Sequence, residues 1–117
     1  MSVQRSFDLS DIGDVTVVIL MDIRLMDELD LDDWARRLYQ FVEKEHRKKI
    51  VLNFANVESC SSTAMGKLVV LHKKAKQMQA EIRLCNVRPE IYEIFAITML
   101  NKLLPVKDSV EAAVDSF

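Results

Sequence analysis

Ser59, Ser61, Ser62 and Thr63 put four hydroxyls within five positions, interrupted only by Cys60. They follow the apolar run Ile50-Val51-Leu52-Asn53-Phe54 and precede a helical pattern through Met65, Gly66, Lys67 and Leu68. The order reads as a strand, a short loop and a helix start. A helix start leaves backbone N–H groups unpaired and carries partial positive charge, so it favours an anion. A nucleotide-phosphate cradle uses glycines there. Here the positions hold hydroxyls, which suits a phosphate carried covalently on a serine. The plain alternative is capping, in which a hydroxyl accepts from a first-turn amide and contributes about 1 kcal/mol. One hydroxyl does that work and Ser61, Ser62 and Thr63 offer three, so cap and switch stand side by side.

Other reactive side chains read more simply. Cys60 lies near the helix start, where a thiol pKa can fall, but no histidine is near it in sequence, and it reads as a buried small hydrophobe. His72 falls on the predicted inner face of the second helix and reads as a packed residue. His46, Arg47, Lys48 and Lys49 read as a basic helix end that complements the dipole. Asp27, Glu28, Asp30, Asp32 and Asp33 lack the glycine and terminal glutamate of a calcium loop and read as a helix start. The sequence shows no Ser/His/Asp arrangement, glycine-rich phosphate loop or metal-ligand spacing. It reads as a non-enzyme without cofactor or metal.

The elements around the serines form a regular alternation. Val3 to Leu9 and Asp14 to Leu20 are predicted strands paired as a hairpin, with Gly13 as a turn signal. Asp30 to about Arg47 is a predicted helix with Leu31, Trp34, Leu38, Phe41 and Val42 on one face and Asp30 as N-cap. Ile50 to Phe54 is apolar without alternation, as in a strand covered on both faces. Ser62 to Met78 is the second helix, with Met65, Leu68, Val69, His72 and Ala75 inward. Glu81 to Val87 is a strand. Pro89 opens a short helix burying Ile91, Ile94, Phe95 and Thr98. Leu103 to Val106 is a final strand, and Asp108 to Ser116 a last helix capped by Asp108 or Ser109.

The resulting order, β-β-α-β-α-β-α-β-α, implies an α/β layer fold. The 117 residues suffice for one domain, with half of them apolar and 29% charged. A net charge of −2 gives no reason to expect nucleic acid. No apolar run reaches the roughly 20 residues of a membrane span, and the first residues lack a signal-peptide core. Cys60 and Cys85 read as reduced thiols, so the expected location is the cytoplasm.

From Val51 to Leu68 the chain resembles the STAS domain family, the anti-sigma-factor antagonists. Their strand ends in Asp-Leu or similar, then comes a Val, then Asp-Ser-[Ser/Thr]-Gly opening a helix. The counterparts here are Leu52-Asn53-Phe54, Val57 and Ser61-Ser62-Thr63-Ala64, with Gly66 and Leu68 also in register. Leu84-Cys85-Asn86-Val87-Arg88-Pro89-Glu90-Ile91 fits further on, and the element order matches along nearly the whole chain. The resemblance implies a STAS-type fold: a four- to five-stranded mixed sheet with about four helices. Ser61 stands where the family has Asp, Ala64 where it has Gly, and Met26 where an aspartate is usual after the second strand, with Asp27 the nearest carboxylate.

The resemblance also implies a mechanism. A serine-kinase anti-sigma factor binds the unmodified protein, phosphorylates the motif serine and can then no longer bind; a serine phosphatase resets it. By register that serine is Ser62, with Ser61 the second choice. The implied partner surface comprises Arg24, Met26, Asp27, Ser59, Ser61, Ser62, Thr63 and Lys67. The altered motif leaves a second possibility, an unphosphorylated STAS scaffold in a stressosome-like or transport-associated complex.

Overall fold

A computed structural model describes residues 7–26 and 28–117. Its main sheet has five strands in the order β1-β2-β4-β6-β7: Phe7–Ile12, Val15–Leu20, Lys49–Asn53, Glu81–Cys85 and Val106–Lys107. β1 is antiparallel to β2, with Phe7 opposite Leu20 and Ile12 opposite Val15, and the other neighbours are parallel. The hairpin turn uses Gly13 at φ +61°, a conformation glycine adopts without strain. The expected mixed α/β sheet is therefore present.

β4 is covered on both faces, as its unbroken apolar run requires. Ile50 and Leu52 join a large core with Trp34 and Leu38 of α1 (Glu28–Glu43) and Leu68 and Leu71 of α2 (Ser62–Gln77). Val51 faces the other way and packs with Val15, Val17, Cys85 and Ala113, the last from α5 (Val110–Asp115). The side chain of Ser109 caps α5 by accepting from the Ala112 amide at 3.1 Å.

Several boundaries differ from the sequence expectation. The first strand runs on to Ile12, and Val3 to Ser6 lie outside the described residues. α1 already contains Asp30, which therefore does not cap it, and it ends at Glu43 without a basic last turn. The chain then turns through His46 at φ 54°, a left-handed position that breaks the helix. Arg47 instead donates to Thr16 Oγ1 at 2.7 Å and pairs with Asp11 and Glu45, tying the helix exit to the hairpin. On α2 the buried face is Ala64, Leu68, Leu71 and Ala75, with His72 half-buried at its flank. α3 (Pro89–Ile97) buries Ile91 and Phe95 and exposes Ile94, with Thr98 also exposed at its end. Of the expected strand at Leu103 to Val106, Leu103 ends helix α4 (Leu100–Leu103), Leu104 and Pro105 form a link, and β7 starts only at Val106.

Candidate functional site

Two very short strands, β3 (Arg24–Leu25) and β5 (Ser59–Cys60), form a separate parallel pair beside the main sheet. Arg24 faces Ser59 in register and Leu25 faces Cys60. The Glu58 amide donates to the Ile23 carbonyl at 2.7 Å, and the Ser61 amide donates to the Leu25 carbonyl at 2.9 Å. Leu25 is fully buried and anchors its segment in the core. The pair thus fixes the segment after β2 against the serine loop.

The serines divide the work. Ser61 is the N-cap of α2: its Oγ accepts from the Ala64 amide at 3.1 Å, and its carbonyl accepts from the Met65 amide at 3.1 Å. Ser62 is the first helical residue, and its side chain is exposed. No first-turn residue of α2 is acidic, so the positive end of the helix dipole is not offset from within the helix. Ser59, Ser61 and Thr63 are half-buried, whereas Arg24 and Met26 are exposed. Asp27 lies outside the described residues.

Lys67 points toward α1. Its ammonium donates to Asp32 Oδ1 at 2.7 Å, and its carbonyl accepts from the Tyr39 hydroxyl at 3.1 Å. The hydrogen bond and charge of Lys67 lower the Asp32 carboxyl below its ordinary pKa. Lys67 therefore braces the first turns of α2 against α1.

Cys60 adjoins the motif but is poorly suited to attack. Burial pushes its thiol pKa up to about 12, overriding any lowering by the helix start. This agrees with its reading as a small packed residue.

The β3·β5 pair was not foreseen. Two-residue strands are too short for a readable period. Ile23, exposed while its carbonyl is held by the serine loop, was missed with it. The alternation of exposed Arg24 and buried Leu25 was the one available signal.

A family model described as STAS domain matches residues 11–113. The chain is 32% identical over 76 residues to BtrV of Bordetella bronchiseptica, a protein provisionally described as an anti-sigma factor antagonist. That match spans 65% of this chain and 65% of BtrV, just under two thirds of each. It is 26% identical over 90 residues to the anti-sigma F factor antagonist of Paenibacillus polymyxa, spanning 74% of this chain and 77% of that one. Among solved structures, an anti-sigma-factor antagonist (STAS) domain protein of Planctomyces limnophilus superposes with a TM-score of 0.83 at 20% identity, over 97% of this chain and 98% of that one. The anti-sigma factor antagonist SpoIIAA, solved unphosphorylated, superposes with a TM-score of 0.70 at 16% identity, over 95% and 96% of the two chains. The phosphorylated form of SpoIIAA, from Bacillus, gives 0.70 at 17%, over 95% and 98%.

Proposed function

The chain belongs to the STAS domain family, and from that premise we propose that it is an anti-sigma factor antagonist switched by phosphorylation of Ser62. In this reading it is a binding protein without an active site of its own. It acts in the cytoplasm, where it sequesters a serine-kinase-type anti-sigma factor and so releases a sigma factor. The observation that carries the reading is the division of roles at the start of α2: Ser61 already supplies the cap, which leaves the exposed Ser62 hydroxyl free of structural duty. SpoIIAA, which shares the fold, has been solved with and without phosphate.

The physics of the switch is local. The Ser62 oxygen attacks the γ-phosphoryl of ATP on the kinase, ADP leaves, and the hydroxyl proton passes to the kinase. The product adds about −1.5 to −2 charge and three acceptor oxygens at the positive end of α2, where a free chain tolerates them. A partner packed over Ser62 would have to bury that charge without a counterion, which opposes binding strongly. A phosphatase returns the hydroxyl by hydrolysis. The fold stays as it is and the surface changes.

The test is intact-mass spectrometry after incubation with serine-kinase-type anti-sigma factors of the source organism and ATP, with peptide mapping across Ser59 to Lys67. One added phosphate at Ser62, absent in Ser62→Ala, is expected, and Ser62→Asp should lose partner binding. Tight binding by Ser62→Asp would sink the switch. Phosphate on Ser61 would keep the mechanism and move the residue.

A further inference from the structure

We infer that Met21, Ile23 and Met26 form an apolar lip that the anti-sigma factor must cover with apolar side chains of its own, so that this lip selects the partner. The inference rests on the functional reading above and deepens it.

These side chains are 48%, 55% and 52% exposed, respectively, among the most open large apolar groups in the described residues. Their backbone is held firmly. Ile23 accepts hydrogen bonds from the Glu58 and Ser59 amides at 2.7 and 3.4 Å, Leu25 is fully buried, and Asn56 Nδ2 donates to the Leu20 carbonyl at 3.2 Å. An exposed apolar side chain on a fixed backbone loses little entropy on docking, which favours affinity. None of the three belongs to the core clusters of the described residues.

Position makes the partner's coverage hard to avoid. Paired strands lie about 4.8 Å apart, so β3 stands one strand spacing from β5, and β5 ends two residues before Ser62. A standard interface covers about 800 Å² per partner, far more than the serine loop alone. A partner seated on Ser62 therefore reaches the lip. Met21 and Ile23 also line a shallow groove of about 310 Å³ with Ala55, Asn56, Glu58 and Arg88. That groove suits one inserted apolar side chain, with the Arg88–Glu58 ion pair at 3.7 Å on its wall. Methionines adapt to irregular apolar surfaces, so the contact is soft.

The experiment titrates wild-type protein, Ser62→Asp, the double variant Ile23→Ser/Met26→Ser and the conservative Ile23→Leu against a purified serine-kinase-type anti-sigma factor of the source organism. Circular dichroism confirms that each variant folds. The double variant should bind at least 30-fold more weakly and Ile23→Leu within threefold of wild type. Binding of the double variant within twofold of wild type, with Ser62→Asp inactive, overturns the lip and leaves the switch standing. Loss in the double variant with Ser62→Asp still binding upholds the lip and overturns the switch. No binding by wild-type protein overturns both.

Discussion

The Ser61 amide donates to the Leu25 carbonyl at 2.9 Å, so the residue that caps α2 also tethers the segment carrying Ile23 and Met26. One residue thus joins the helix start, the serine loop and the neighbouring apolar side chains into a single rigid ledge. Ser62, one position on, is free to change chemically without loosening it.

Ser61 and Ser62 should therefore separate in mutagenesis. Ser61→Ala removes the acceptor of the Ala64 amide and should lower unfolding free energy by about 1 kcal/mol. Ser62→Ala should leave stability within about 0.5 kcal/mol, since it truncates an exposed side chain. Urea unfolding of the two variants checks the difference; equal losses would mean that the roles are not divided.

Gly66 sits inside α2, and a Cβ placed there meets nothing within 4 Å. Gly66→Ala should stabilise the free protein by about 1 kcal/mol, because glycine is a poor helix former and no neighbour needs the space. Thermal melting reads this directly. A lower melting temperature would show a constraint that the free fold does not reveal.

Tyr39 donates its hydroxyl to the Lys67 carbonyl at 3.1 Å in a partly buried setting. Tyr39→Phe removes the donor and keeps the ring, so it should cost about 1 kcal/mol. Hydrogen exchange in the first turns of α2 should quicken. Unchanged exchange there would mean that the brace from α1 is not needed.

Burial raises the thiol pKa of Cys60 to about 12 and of Cys85 to about 11. In the unfolded chain both titrate near the ordinary value of about 8.5. Raised folded values mean that the stability they contribute is complete below about pH 8.5 and declines as pH rises toward 11 and 12. Cys60→Ala should accordingly lose less stability than wild type between pH 7 and pH 10. Neither thiol should react readily with an alkylating reagent at pH 8 until the protein is unfolded.

Periodicity and composition made the long elements legible. The unbroken apolar run of β4 announced a strand buried on both faces, and the spacing of Leu31, Trp34 and Leu38 announced α1. The serine loop was visible through its hydroxyls and the helix behind it. What escaped depended on tertiary choices. His46 ends α1 through a left-handed backbone, and beyond it Arg47 and Lys49 turn to the hairpin while Lys48 donates to the Met78 carbonyl at the end of α2. α4 and β7 are so short that neither shows a period, and Leu103, expected in the last strand, instead ends α4. The β3·β5 pair is likewise held by partners in the folded chain, which local sequence does not encode.

The small β3·β5 pair lies outside the main sheet, with only Leu25 reaching deep into the core. On the proposed reading, recognition by the lip and modification of Ser62 would therefore fall on separate residues of one mount. If the lip selects the partner as proposed, exchanging Ile23 and Met26 would change which partner is bound while Ser62 and the buried Leu25 beneath stay untouched. In a cell with several such modules, that separation guards against crosstalk: each could keep the same on–off chemistry and answer only to its own partner.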